Sequence, residues 1–363
     1  MSGTRRTVSE DLYKRLRPMI EIPEGALRKQ VPPDFDRLTD FTILTYNILA
    51  QDHIKRTSYP YCSKMSLRWG QRRELLSREL AGYDADIVCF QEMDRFHSYF
   101  QPLLYRLGYH MTYYMRNGTN GDVNCVGWKK EKFHFVESRR VSFEQTTAAL
   151  GSVPNVAQLV AVQSIKEPSV KLIVATTHLY WREDCDHIRL AQMHALLSAV
   201  VEFRDSLGMD YIPIIAGDFN SDPDSMALQA ALRSKFYLGG PAFEEMLEKS
   251  LMSRAVLRQI LSDFAVSWPR LYDAYEAYAY VIPGSNSYGL PYTSFCLYKG
   301  ILDFILYQQY EEKSRILAPI ALRVIPERSI LEKEGALPNS IYASDHLALE
   351  CRLAVFQNAA KSK

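Results

Sequence analysis

The chain has no paired-cysteine spacing, no long apolar run and no excess of charge of one sign, and each absence removes a class of protein. Its six cysteines, Cys62, Cys89, Cys125, Cys185, Cys296 and Cys351, are scattered over 363 residues without a CxxC pair. A disulfide framework or a thiolate zinc centre needs closer or more regular spacing, so the thiols are read as free and the compartment as reducing. No apolar run approaches the roughly 18 residues that cross a bilayer, and the amino-terminus lacks the apolar core of a secretory signal. These features predict an intracellular protein without a membrane partner, in cytoplasm or nucleus in preference to the mitochondrion. Lys and Arg number 43 against 42 Asp and Glu, a formal charge of +1. That excludes blanket electrostatics of the histone type, and a polyanion must be met by a local basic patch.

What is present is a globular composition, 47% hydrophobic and 12% aromatic. No repeat, low-complexity tract or linker divides the chain, so a single large domain is favoured over two. Residues 1–30 carry seven basic side chains (Arg5, Arg6, Lys14, Arg15, Arg17, Arg28, Lys29) against four acidic ones (Glu10, Asp11, Glu21, Glu24). Such a stretch suits a transit peptide or an RNA-touching arm, but Glu10 and Asp11 break the acid-poor pattern of the former, and an ordinary solvated leader is the simpler reading. The organisation expected is a basic leader over 1–38 that need not be ordered, one domain over 39–357 and a tail over 358–363.

Within the domain, Phe41–Asn47 reads as a buried strand, 65–82 as a helix ending near Gly82, and Asp86–Phe90 as a second strand running into Gln91-Glu92. Val156–Ile165 and Val170–Thr177 read as a hairpin that runs into His178. The clearest amphipathic helix spans 187–207, ahead of Gly208, and Tyr211–Ile215 is a strand stopping at Gly217-Asp218. A helical stretch over about 226–264 leads to an irregular Tyr-rich segment at 272–293. Strands resume at Ile301–Tyr307, Arg315–Val324 and His346–Val355. Adjacent strands mixed with crossover helices fit an α/β domain of two packed sheets.

The informative pattern is positional. Apolar strands end in, or begin with, Asn47, Glu92, His178, Asp218 with Asn220, and Asp345-His346, while Asp303 lies within another. A carboxylate beside a core costs several kcal/mol unless paired or bound to a cation, so these acids suggest a shared cation or hydrogen-bond network. Oxygen ligands with few histidines and no thiolate suit a hard cation, Mg²⁺ with Mn²⁺ able to replace it, and such a cation pairs naturally with substrate phosphate.

Six segments then carry a family resemblance: Thr45-Tyr-Asn-Ile-Leu-Ala-Gln51, Cys89-Phe-Gln-Glu-Met93, Thr176-Thr-His-Leu-Tyr180, Ala216-Gly-Asp-Phe-Asn-Ser-Asp-Pro-Asp-Ser225, Gly300-Ile-Leu-Asp-Phe-Ile305 and Ala343-Ser-Asp-His346. In this order they resemble the motif blocks of the endonuclease/exonuclease/phosphatase superfamily. The first and fourth are similar to the branch holding the Ccr–Not deadenylase nuclease, nocturnin, the angel proteins and the yeast Ngl exonucleases. The resemblance implies a four-layer α/β sandwich, DNase I-like, with two mixed β-sheets flanked by helices. It also implies Mg²⁺-dependent 3′→5′ exoribonuclease chemistry on single-stranded RNA 3′ ends.

Carried over residue by residue, the resemblance makes Glu92 the main metal ligand, with Asn47 beside it holding metal waters or phosphate and Asp345 completing the metal or water shell. Asp218 would orient or deprotonate the attacking water, Asn220 hydrogen-bond the phosphoryl group, His178 donate to a phosphate oxygen, and Asp303 pair with His346. Whether Asp218 or His346 is the base stays open. The substrate-binding set is Asn124, in a block where the branch usually reads Asp-Gly-Cys-Ala, and Tyr298, which aligns with an aromatic that stacks on a base. After His178 the deadenylases carry a Pro where Trp181-Arg182-Glu183 stands here, a departure that weakens a claim of poly(A) preference and leaves general 3′-end trimming and deadenylase-like action both open. The tyrosines of 272–292 either line an RNA groove or pack in the core. Without the leucine-rich repeats that dock the Ccr–Not nuclease, the expectation is a stand-alone monomer of the Ngl or angel type. A phosphatase of nucleotides or RNA terminal phosphates, an abasic-site DNA endonuclease, and a catalytically dead RNA-binding protein are the alternatives.

Overall fold

The structure is a computed structural model that describes residues 10–116, 121–147, 153–232, 241–249, 252–266, 268, 270–282, 290–309 and 315–359. Seven strands form the first sheet in the order β1 (Met19–Glu21), β14 (Arg315–Arg323), β15 (Leu349–Asn358), β2 (Phe35–Asn47), β3 (Ile87–Met93), β5 (Val123–Lys129) and β4 (Tyr109–Met115). Six form the second: β10 (Leu271–Asp273), β13 (Asp303–Gln308), β9 (Tyr211–Asp218), β8 (Lys171–His178), β7 (Val156–Ser164) and β6 (Phe133–Ser142). A short ribbon, β11 (Ser294–Phe295) with β12 (Lys299–Gly300), lies beside them. The two mixed sheets, flanked by helices, make the DNase I-like sandwich.

Each sheet has one parallel pair at its centre, β2 with β3 and β8 with β9, and every other pairing is antiparallel. A parallel pair needs a crossover. The helix Trp69–Tyr83 supplies it for β2 and β3, and the helix Asp186–Leu207 for β8 and β9. The second helix turns Ile188, Met193, Leu196, Val200 and Phe203 into the core and ends at Gly208, whose φ of 102° suits a residue without a Cβ. One consequence positions the site: the carboxyl ends of β2, β3, β8 and β9 fall together, joined by the amino end of β13, where Asp303 pairs with Asp218. Deeper down, Gln91 Nε2 donates to Thr176 Oγ1 at 2.9 Å and ties β3 of one sheet to β8 of the other.

The segment read as a solvated leader is part of the fold from residue 10 onward. The helix Glu10–Leu16 packs on the helix Trp69–Tyr83, β1 pairs with β14, and Tyr13 and Arg17 are fully buried. Arg17 tolerates burial because its donors are taken: Nη1 reaches the Tyr83 hydroxyl at 2.8 Å, Nε the Val324 carbonyl at 3.0 Å and Nη2 the Ala348 carbonyl. At the other end β15 runs through Asn358, the first residue assigned to the tail. Among the described residues, the helical stretch expected over about 226–264 holds the helices Met226–Ala231, Pro241–Lys249 and Arg254–Val266. The first is capped by the Ser225 hydroxyl, which accepts from Leu228 N–H at 3.4 Å. The strand expected from His346 starts at Leu349. Strands β4 and β6 escaped the sequence reading because each is the edge of its sheet and carries half-exposed polar residues instead of an apolar run. Among the described residues no helix is long and apolar enough to cross a membrane.

Candidate active site

Glu92 sits where the β3–β5 register slips between Phe90 and Met93, in a left-handed conformation with φ 57°. Such a non-glycine residue costs on the order of 1–3 kcal/mol, and here it throws the carboxylate off the sheet toward the ends of β2 and β9. Asn47, the last residue of β2, bridges the two sheets: its Nδ2 donates to Glu92 Oε1 at 3.1 Å and to Asp218 Oδ2 at 2.9 Å. His178 ends β8 with Nε2 3.6 Å from Asp218 Oδ2 and 4.0 Å from Glu92 Oε1. His346 places Nε2 3.7 Å from the same Asp218 oxygen and Nδ1 2.8 Å from Asp303 Oδ2. Thus Asn47, Glu92, His178, Asp218, Asp303 and His346, drawn from six segments of the chain, form one network, buried except for the partly exposed Glu92. Ligand atoms of Asp218, Asp303 and His346 all lie within 4.8 Å of one another.

The electrostatics follow from burial and proximity. For Glu92, burial favours the neutral acid, yet the hydrogen bond from His53 and the nearby His178 hold it well below the usual carboxylate range. Burial raises Asp218, and the neighbouring Asp303 adds to the rise against the pull of His346 and His178. Burial likewise disfavours charge on His346, but the Asp303 and Asp218 carboxylates carry it well above the ordinary imidazole value. The centre therefore offers an anionic carboxylate at Glu92 and a cationic imidazolium at His346, with Asp218 between them.

The remaining predicted residues lie around this network. Asn220, also left-handed with φ 45°, directs its backbone N–H to Asp218 Oδ1 at 2.9 Å and its side chain to the Leu179 carbonyl at 3.0 Å. Asp345 accepts from the Tyr59 hydroxyl at 2.9 Å, and burial with repulsion from Glu92 raises its pKa. Asn220, Asp345, His346 and Tyr298 line a cleft of about 630 Å³ whose mouth carries the exposed Trp181. Tyr298 is half-exposed and its hydroxyl donates to Asp222. Its ring folds back over Gly300, where a Cβ would come within 2.7 Å of the phenol carbon Cζ. Asn124 does not line this cleft: it is buried, and its amide donates to the Val156 carbonyl at 2.8 Å, which ties β5 to β7. Of the tyrosines at 272–292, Tyr275, Tyr278 and Tyr292 are buried with hydroxyls bonded to backbone, so these are core residues and not a groove; Tyr288 lies outside the described residues.

Three supporting residues gave no sequence signal. The fully buried Arg72 donates to the Ala343 carbonyl at 2.7 Å, the Ile48 carbonyl at 2.7 Å and Gln51 Oε1 at 3.0 Å, and so clamps the loops that follow Asn47 and precede Asp345. His53 reaches Glu92 Oε2 at 2.8 Å, and Tyr59 holds Asp345. A basic residue inside an amphipathic helix, or a histidine in a polar loop, looks like any solvated side chain until the backbone carbonyls and carboxylates that meet it are known.

Comparison with known proteins agrees with this architecture. Residues 44–346 match the Endonuclease/Exonuclease/phosphatase family. Among curated proteins, "Protein angel homolog 2" of Homo sapiens is 32% identical over 208 residues, 54% of this chain and 38% of that protein. A "Probable RNA exonuclease" of Schizosaccharomyces pombe is 31% identical over 188 residues, 51% of this chain and 37% of its own length. The chain therefore spans well under half the length of these two relatives. Of solved structures, ANGEL2, described as a 2′,3′-cyclic phosphatase, superposes with a TM-score of 0.73 at 23% identity, covering 98% of this chain and 99% of that one. The human nocturnin catalytic domain gives 0.59 at 23% identity, covering 90% of this chain and all of its own. These likenesses show the shared fold. The members of this family are hydrolases of phosphodiesters and phosphate esters and are usually dependent on a divalent metal. With the family pattern running from Leu44 to His346 and its strand ends meeting in one centre, the chain is a member of the endonuclease/exonuclease/phosphatase family.

Proposed function

We propose that this chain is a Mg²⁺-dependent 3′→5′ exoribonuclease that trims single-stranded RNA by water attack on the terminal phosphodiester and releases nucleoside 5′-monophosphates. The observation that carries the reading is the meeting of an anionic Glu92 and a His346 imidazolium held by Asp303 on either side of Asn47 and Asp218. The donors fit a hard cation: they are carboxylate oxygens, an amide and imidazoles, and Asp303 Oδ1 is buried without a hydrogen-bond partner. Glu92, Asn47 and Asp345 would hold Mg²⁺, with Mn²⁺ able to replace it, and the ion would supply Lewis-acid polarisation of the phosphate.

The rest is work for the chain's own side chains. Asp303 fixes the proton of His346 on Nδ1 and favours the imidazolium, whose Nε2–H faces the Asp218 side of the centre and stabilises charge gathering on phosphate. Asp218 orients or deprotonates the attacking water, and His178 and Asn220 hold phosphate oxygens. Tyr298 gives the terminal base a face to stack on, an interaction worth about 1–3 kcal/mol per base. Trp181-Arg182-Glu183, in place of the Pro of the deadenylases, weakens a claim of poly(A) preference. The reading takes the enzyme to act as a monomer in an intracellular compartment. RNA-acting relatives support it.

A second reading, hydrolysis of a terminal 2′,3′-cyclic phosphate on RNA, is favoured by the similarity to angel homolog 2 and to the ANGEL2 structure. A digestion series with 5′-labelled homopolymers of A, U and C, a structured 3′ extension and an RNA ending in 2′,3′-cyclic phosphate separates the two. The first reading predicts a shortening ladder. Cyclic-phosphate opening without shortening establishes the second.

A further inference from the structure

Both donors to the far oxygen of Glu92 come from one short loop. Oε2 accepts from Ala50 N–H at 3.0 Å and from His53 Nδ1 at 2.8 Å, whereas Oε1 meets Asn47 and faces His178 across the centre. The other ring nitrogen of His53 lies 3.2 Å from Arg116 Nη2, and the same Nη2 lies 3.0 Å from Oδ1 of the buried Asp122. A guanidinium has donors only, so His53 Nε2 must accept and the ring proton must sit on Nδ1, aimed at Glu92. Asp122, Arg116, His53 and Glu92 thus form a fixed chain ending on a carboxylate oxygen.

We propose that His53 is a positioning residue for cation binding: its Nδ1–H fixes Oε2 of Glu92 and leaves Oε1 as the oxygen presented to a divalent ion. This rests on the reading of Glu92 as the cation ligand. Outer partners that orient a ligand in this way typically alter metal affinity by about 10–100-fold when removed. Only a donor of the right reach can replace the ring, because the far end of the chain, Arg116, supplies orientation and not contact with Glu92.

The test is Mn²⁺ binding to the full chain without substrate, measured by calorimetry and by the paramagnetic resonance of free Mn²⁺, for wild type, His53→Ala, His53→Asn and Glu92→Gln. Asn can place an amide N–H near the position of Nδ1. The expected result is Mn²⁺ binding weakened about 10–100-fold in His53→Ala and largely restored in His53→Asn. Wild-type affinity in His53→Ala, or equal weakening in both His53 variants, overturns the proposal. Glu92→Gln keeps the two failures apart: wild-type Mn²⁺ affinity in that variant sinks the assignment of Glu92 itself, whereas its loss beside an unaffected His53→Ala sinks only the role of His53.

Discussion

Asp303 Oδ2 lies 2.8 Å from Nδ1 of His346, and both side chains are more than nine-tenths buried. Asp303 opens β13 of the second sheet, whereas His346 lies in the loop leading into β15 of the first and bridges to Ser294 of the ribbon. The pair therefore exists only when the sandwich is assembled, and it sets the protonation of the imidazole that faces Asp218.

Replacing Asp303 by Asn keeps the shape and removes the charge. General acid/base and electrostatic contributions of this type are worth about 10²–10⁴-fold in rate. Single-turnover cleavage by Asp303→Asn is expected to slow within that range, with substrate affinity little changed. A variant as fast as wild type removes the Asp303 charge and its hold on His346 from the chemistry.

The raised pKa of His346 has a consequence for stability. A group that binds its proton more tightly when folded contributes fully below its unfolded pKa, about 6.5 for histidine, and loses that contribution as pH rises through the folded value. The melting temperature of wild type relative to His346→Gln, without metal, is expected to be level below about pH 6.5 and to decline above it. A difference that grows with pH contradicts the assigned direction.

Arg72 is a structural clamp with catalytic reach. Its removal strands the Ala343 and Ile48 carbonyls and Gln51 Oε1, and each orphaned buried polar group costs about 1–3 kcal/mol. Arg72→Met is expected to lower the free energy of unfolding in urea by several kcal/mol and to weaken Mn²⁺ binding, because the loops after Asn47 and before Asp345 lose their common anchor. An unchanged denaturation midpoint would falsify that role.

Gly300 gives a narrower perturbation. Its added Cβ in Gly300→Ala meets the tip of the Tyr298 ring and not backbone, so the ring moves, its bond to Asp222 breaks and the core is untouched. The expected outcome is a KM raised severalfold with kcat and melting temperature nearly constant, matched by Tyr298→Ala. A fall in kcat at constant KM places Tyr298 outside substrate binding.

The centre was readable because its residues stop apolar strands. Asn47, Glu92, His178 and Asp218 end runs whose burial is forced, and a polar side chain at such a point stands out against the hydrophobic period. Asp303 stood out as an acid inside the apolar run 301–307, and His346 as a polar residue just ahead of the apolar run that contains β15. What stayed hidden depends on long-range partners. Arg17 looked like one charge of a solvated leader, yet carbonyls more than three hundred residues away accept its hydrogen bonds. Asn124 shared a motif position with substrate-binding residues, while its amide joins the two sheets. For the tyrosines of 272–292 the sequence left groove and core open, and the choice rests on contacts such as the stacking of Tyr275 on Tyr278 at 5.8 Å in the core. His53 had no periodic neighbour to mark it.

The most direct measurement is trimming of a 5′-labelled single-stranded RNA in Mg²⁺ by wild type, by wild type with a chelator, and by Glu92→Ala. A processive loss of 3′ nucleotides by wild type that disappears in both controls is the result expected from one cation held at Glu92 beside the Asp303–His346 pair. Undiminished trimming by Glu92→Ala, or in the presence of the chelator, contradicts it.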